Sequence, residues 1–402
     1  MADRKFAKLS DVADFYAGAS LPDGVPFKQQ DAGYLLMRVS DLNLPGNEVK
    51  LTSSRNWSAS PGNRASTCPA DSVIIPKRGG AIGTNKKRIS VRPCILDPNL
   101  MAINPHPDVL DHRYLYHWFL GFDLLSIANG SSVPQLNKKD LRPLEIPLPS
   151  TDVQRKVADV LDRVDTLRAK RRAAIALLDD LAQSLFLDMF GDPVVNERGW
   201  NRVRFEDLLE GIDSGKSPTC LDRSAAEGEW GVLKLGAVTS CRFKPEENKA
   251  LPSAIAPVAK HEVHPGDLLF SRKNTRELVA ACALVDETPP KMLLPDLIFR
   301  FNFKRDAPVD RQYIQQLLVN RHKRRKVQEL ASGSAGSMPN ISKSRLAGLD
   351  IELPPLELQH EFGRRVRAVE ESRRAHQDSL RELNDLFGSL QQRAFRGELW
   401  DD

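Results

Sequence analysis

The chain has 402 residues, 41% of them hydrophobic and 28% charged, with a net charge of +5: enough for two or more domains with cores of their own, as expected of a soluble globular protein. It shows no apolar run long enough for a membrane span and no basic-then-apolar leader, so a cytoplasmic location is expected. Its five cysteines lack a CxxC, its histidines fall in no ligand spacing and its carboxylates in no nuclease-like pair, which argues against a disulfide scaffold or a metalloenzyme.

Taken from the start, residues 1–150 read as short β-rich runs broken by Gly and Pro and closed by a helix, which predicts a mixed α/β lobe. Strand-like Pro69 to Ile74 runs into a basic turn, Lys77-Arg78-Gly79-Gly80, with Lys86, Lys87 and Arg88 close behind. Arginine and lysine neutralise phosphates or grip guanine edges, so these five residues are candidate DNA contacts. Asn104-Pro105-His106-Pro107 lacks the aromatic residue that would let such a loop stack on a flipped base, and no glycine-rich cofactor loop accompanies it; it reads as a proline-rich loop.

Residues 151–191 predict one long helix. Thr151 is a plausible N-cap with Gln154 at the third position. Val157, Val160, Val164, Leu167, Ala174, Leu178, Leu181 and Leu185 follow in alternating steps of three and four, broken only by Arg171, which is a heptad seam. Gly191 and Pro193 end the helix.

Residues 192–355 predict a second lobe. Gly211 to Ser217 falls one residue short of a phosphate-binding loop. The first lobe has Gly18-Ala19-Ser20 at the matching place, without the lysine, so a shared turn is expected there, with Lys216 kept as a candidate DNA contact. Pro265 to Phe270 answers Pro69 to Ile74 and again runs into a basic turn, Arg272, Lys273, Asn274 and Arg276; asparagine suits adenine edges as arginine suits guanine. The densest basic run, Arg321 to Lys326, adds Lys323, Arg324 and Arg325 as candidate phosphate contacts.

Residues 356–402 predict a second long helix and a short tail. Its seam holds Phe362, Val369, Leu383, Leu386 and Leu390, interrupted by Arg365, Ser372, His376 and Ser379. This helix and the segment before it repeat the first at an offset of 205: Ser132/Ser337, Pro134/Pro339, Lys138/Lys343, Pro149/Pro354, Gln154/Gln359 and Leu185/Leu390 all pair without a gap. The lobes repeat more faintly at offsets of 196 to 199. The expected fold is therefore α+β: two mixed α/β lobes separated by two long helices, each roughly 60 Å at 1.5 Å per residue, that form an antiparallel coiled coil with an internal pseudo-two-fold repeat.

Charge divides unevenly along this plan. Residues 1–150 hold 18 Lys and Arg against 14 Asp and Glu, and residues 201–350 hold 24 against 19. Residues 151–200 hold 8 against 9, and 351–402 hold 8 against 11. The basic excess sits in the lobes, where a polyanion would bind. A pair of unlike basic heads on a two-fold frame suits duplex DNA read at two different half-sites, the helices fixing the gap. The competing reading is a protein-binding coiled-coil scaffold without sequence-specific DNA recognition.

The segments Ile146-Pro147-Leu148-Pro149 to Gln154 and Ile351 to Gln359, the junction Met189-Phe190-Gly191-Asp192, the run Pro265 to Arg272 and the C-terminal Ala394 to Leu399 resemble the specificity subunit of type I restriction-modification enzymes. The resemblance implies that the lobes are target recognition domains and that the chain is a non-catalytic reader of double-stranded DNA. It implies two modification (adenine methyltransferase) subunits carrying S-adenosylmethionine, and restriction subunits using ATP and Mg, as partners, with no cofactor or metal on this chain.

Overall fold

The computed structural model describes residues 6–28, 33–130, 133–332 and 338–399. The Ser132/Ser337 pair lies outside them. The chain divides into two compact units, residues 1–172 with 378–402, and residues 173–377, so the division falls within both long helices. The helices of nine residues or more are α1 (His112–Leu120), α2 (Thr151–Phe190), α3 (Arg311–Val319), α4 (Arg321–Glu329) and α5 (Leu356–Phe395).

In the first unit, Ala13–Ala17, Leu100–Pro105, Val73–Pro76, Arg88–Ser90 and Lys50–Leu51 form one sheet in that order. A second sheet has Tyr34–Met37 between an antiparallel Asn56–Ser58 and a parallel Cys94–Leu96. In the second unit, Leu209–Ser214, Ile298–Phe303, Leu268–Ser271 and Cys282–Leu284 give the same order as the first four strands above. Gly231–Leu233 again lies between an antiparallel Asn248–Ala250 and a parallel Met292–Leu293. Each unit also pairs its entry strand with the strand before its long helix, Phe6–Lys8 with Glu145–Pro147 and Asn201–Arg204 with Asp350–Leu353. The apolar strands bury both faces, against the sheet's partner and against the helices, which is why they read as continuous apolar runs such as Val73-Ile74-Ile75 and Leu268-Leu269-Phe270.

The glycines before the two turns have a packing cause. A Cβ on Gly18 would sit 1.7 Å from the Asp97 carbonyl oxygen, and one on Gly215 would sit 1.5 Å from that of Leu294. Only glycine lets the chain run so close to the neighbouring backbone. The Gly-Lys-Ser sequence is therefore a crossing point of two strands.

Both long helices are tied to their lobes by a buried glutamine. Gln154 accepts from the Asp111 amide at 2.8 Å and donates to the Val109 and Pro149 carbonyls at 3.0 and 2.9 Å. Gln359 accepts from the Asp310 amide at 2.9 Å and donates to the Pro308 and Pro354 carbonyls at 3.1 and 2.8 Å. Both side chains are wholly buried. Thr151 is the first helical residue of α2 and so stands inside the helix; Gln154 serves the lobe's loops, not a capping box.

Within each unit, segments of α2 and α5 run antiparallel. In the first, Arg168 on α2 donates to Asn384 at 2.8 Å and lies 4.4 Å over the Phe387 ring, while His117, hydrogen-bonded to Asp162, accepts at its carbonyl from Gln391. In the second, Phe186 and Phe190 of α2 stand 5.7 and 5.2 Å from Phe362 of α5, with Tyr313 4.8 Å from Phe190. Arg242 bridges Asp179 of α2 and Glu370 of α5.

The buried stripe differs from the expected seam. Val157, Val164, Phe362 and Val369 are buried, and Leu178, Leu185, Leu383 and Leu390 are half-buried. Val160, Leu167, Leu181 and Leu386 are 43%, 46%, 42% and 46% exposed, and the positions that replace them are Ala158, Leu161, Ala182, Phe186, Phe387 and Ala394. The reason is that each helix packs on its lobe as well as on the other helix, which rotates and widens the apolar face beyond a strict heptad line.

Candidate nucleic-acid interface

In the first unit, strand Val73–Pro76 delivers the chain to Lys77, whose amide donates to Asn99 O and whose carbonyl accepts from Leu136 N. Two residues on, the Gly79 amide donates to Pro134 O at 2.7 Å, and Arg78 forms a bridge with Gln135. The basic turn is thus braced by a returning segment that carries Lys138. Lys77 is only part-exposed; burial, then the Arg78 and Lys138 charges, lower its affinity for a proton. Cations gathered at one turn favour an anion beside them.

The second unit repeats the brace. The Arg272 carbonyl accepts from Ile341 N at 2.9 Å, the Asn274 amide donates to Pro339 O, and Lys273 forms a bridge with Asn340. The Arg272 Nε donates to Asn340 Oδ1 at 3.0 Å, and its guanidinium lies 4.9 Å over the Phe299 ring, which Lys343 shares at 5.6 Å. Stacking and a side-chain hydrogen bond fix the guanidinium plane before any ligand arrives. Lys138 and Lys343, matched in the sequence repeat, join these clusters without having stood out as site residues; their only signal was recurrence beside Pro134 and Pro339.

The remaining candidates divide between surface and interior. Arg78, Lys216, Arg276 and Arg325 are exposed, and Lys86, beside Asn43, and Lys273 are half-exposed. Lys87 is 1% exposed and donates to Phe122 O at 2.7 Å; burial lowers its pKa to about 8. Arg88 is half-buried and spends its donors on the Lys87 and Leu42 carbonyls. Asn274 is buried, accepting from the Thr275 amide. Lys323 is buried and donates at 2.6 Å to both Glu352 Oε2 and Asp350 O, and Arg324 turns to Cys241 Sγ and the carbonyls of residues 277–279. Lys87, Asn274 and Lys323 therefore stand inside the fold. In α4, positions 323 and 327 share the inward face, one turn apart, so a run that looks uniformly basic presents only part of its charge to solvent.

Among the described residues no group of three or more His, Cys, Asp and Glu could hold a metal ion, and no helix is long and apolar enough to cross a membrane. The five cysteines are unbridged.

The sequence profile of the type I restriction modification DNA specificity domain matches residues 2–177. The Escherichia coli EcoEI specificity subunit is 37% identical over 163 residues, 40% of this chain and 27% of that protein. The EcoKI specificity subunit of Escherichia coli strain K12 is 23% identical over 292 residues, 68% of this chain and 62% of that protein. These two matches thus leave more than a third of either relative unspanned. Among solved structures, the type I restriction-modification S subunit from M. genitalium superposes with a TM-score of 0.63 at 12% identity, covering 98% of this chain and 97% of that one. A chain from the type I R-M system, solved in work on its complex assembly and conformational transition, gives 0.52 at 18% identity over 99% of both. The profile match on the first lobe and the named sequence matches make the chain similar to type I restriction enzyme specificity subunits, and the solved S-subunit structures share its fold over the full length.

Proposed function

We propose that this chain is the non-catalytic, sequence-specific DNA reader of a type I restriction-modification complex, acting in the cytoplasm on a bipartite, asymmetric target. Residues 1–150 and 192–355 are its two target recognition domains; residues 151–191 and 356–402 are the spacers. The observation that carries this reading is the twice-built basic turn, Lys77-Arg78 braced through Pro134 and Lys138, Arg272-Lys273 braced through Pro339 and Lys343. Similar backbone with unlike side chains is what two heads reading different bases on one duplex require.

The long helices are read as an antiparallel coiled coil that sets the gap between half-sites, supported by the antiparallel packing of α2 and α5 segments within each unit. Their exposed faces are where two modification subunits, bearing S-adenosylmethionine, and then the ATP- and Mg-dependent restriction subunits would assemble. Replacing residues 1–150 by the corresponding lobe of another specificity subunit tests the division of labour. One half of the methylated target should change and the other stay; a change in both halves refutes it.

A further inference from the structure

Val133 and Met338 occupy the same place in the two lobes, 205 residues apart and immediately before the prolines that brace the basic turns. They are 56% and 43% exposed, and each stands beside the turn that carries its lobe's cations. In the first lobe the two are neighbours: a Cβ on Gly79 would lie 3.9 Å from Val133 Cγ1, an ordinary contact distance. Gly79 directly follows Arg78, so the apolar tip and the guanidinium emerge from adjoining backbone. In the second lobe Met338 precedes Pro339, whose carbonyl accepts from the Asn274 amide two residues beyond Arg272.

Each tip is held by the same ladder, Gly79 to Pro134 with the Arg78/Gln135 bridge, and Asn274 to Pro339 with the Lys273/Asn340 bridge. A side chain that served only the core would be covered by it; here the exposed apolar position is kept in both lobes while the residue changes from valine to methionine. An apolar residue beside a basic turn suits a duplex, where the cations take phosphates and the apolar atoms meet the thymine methyl or the face of an unstacked base.

Resting on the DNA-reading function above, we propose that Val133 and Met338 are apolar base contacts, one per half-site, that sense a thymine methyl or a deformable base step while the flanking cations hold the backbone. Their different shapes, β-branched against long and flexible, then contribute to the asymmetry of the target.

The test is selection of duplexes from a random pool by the full chain and by its V133A and M338A variants, followed by binding to the selected duplex as salt is raised. Each variant should relax preference at one or two adjacent positions of a single half-site, V133A in one and M338A in the other, with about five- to hundredfold weaker binding to the parent site. The salt slope should not move, because no phosphate contact is lost. R272A, by contrast, should reduce that slope. If both variants select the parent sequence with parent affinity, the apolar-contact proposal is wrong although the DNA reader stands. If the parent chain itself selects no sequence, the DNA-reading function fails, and this proposal with it. Unchanged thermal unfolding of the two variants separates loss of contact from loss of fold.

Discussion

Gln154 and Gln359 each satisfy one amide and two carbonyls that no regular element reaches. Truncating either leaves those groups buried and unpaired, so Q359A should destabilise the protein by about 2–4 kcal/mol in urea unfolding. Q359E, which keeps the shape but loses the donor, should cost at least as much. Lys323 and Glu352 form a buried pair that Arg202 also touches. K323A should therefore cost about 3–5 kcal/mol, while K323M with E352L should recover much of it, since removing both charges spares the unpaired one. Lys87 behaves differently. Its folded pKa lies near 8, below the usual lysine value, because its amino group is buried, so the folded state sheds the proton first. The penalty is full below about pH 8 and is relieved as pH rises toward the unfolded value of about 10.5, so wild-type stability should climb relative to K87M across that window. Parallel slopes for the two proteins would contradict this. None of these interior roles was legible in the sequence, because Lys87 and Lys323 sit in basic runs like any solvated lysine, and only burial distinguishes them.

At the scale of the elements, the existence and length of α2 and α5 were legible from their periodicity and the 205-residue repeat. Their buried faces were not. A heptad count assumes that a helix meets one partner along one line, whereas α2 also carries Val157, Leu161 and Val164 into the first lobe's core and Phe186 and Phe190 into the second's. Phe190 pairs with Tyr313 at 4.8 Å as Phe395 pairs with Tyr114 at 4.9 Å, so an aromatic at the end of each long helix docks on the helix of a lobe. F190A should cost about 3–5 kcal/mol in chemical unfolding, by lost burial and the cavity left behind. L167A and L181A, at exposed seam positions, should change stability by less than about 0.5 kcal/mol. Equal losses at all three positions would restore the strict seam.

At the scale of the whole molecule, the recurrence of strand order, close-approach glycine, glutamine tie and braced basic turn in both units shows how a repeat can fix a shared frame while leaving side chains free to differ. The basic turns were legible because they recur. The partners that brace them were hidden, since Pro134 and Pro339 meet the turns only through more than fifty intervening residues of folding. If the long helices act as spacers, adding one heptad to each, in register, should lengthen the unread gap while both half-sites stay the same; an unchanged gap would remove the spacer role. The central claim is that one chain directs an adenine methyltransferase to a target of two unlike parts. It is tested most directly by sequencing the methylated adenines of a host expressing this chain with its modification subunit. The expected result is a new motif of two short, different sequences at a fixed separation, absent when the chain is omitted. A contiguous or palindromic motif, or the same methylation without the chain, would contradict the account.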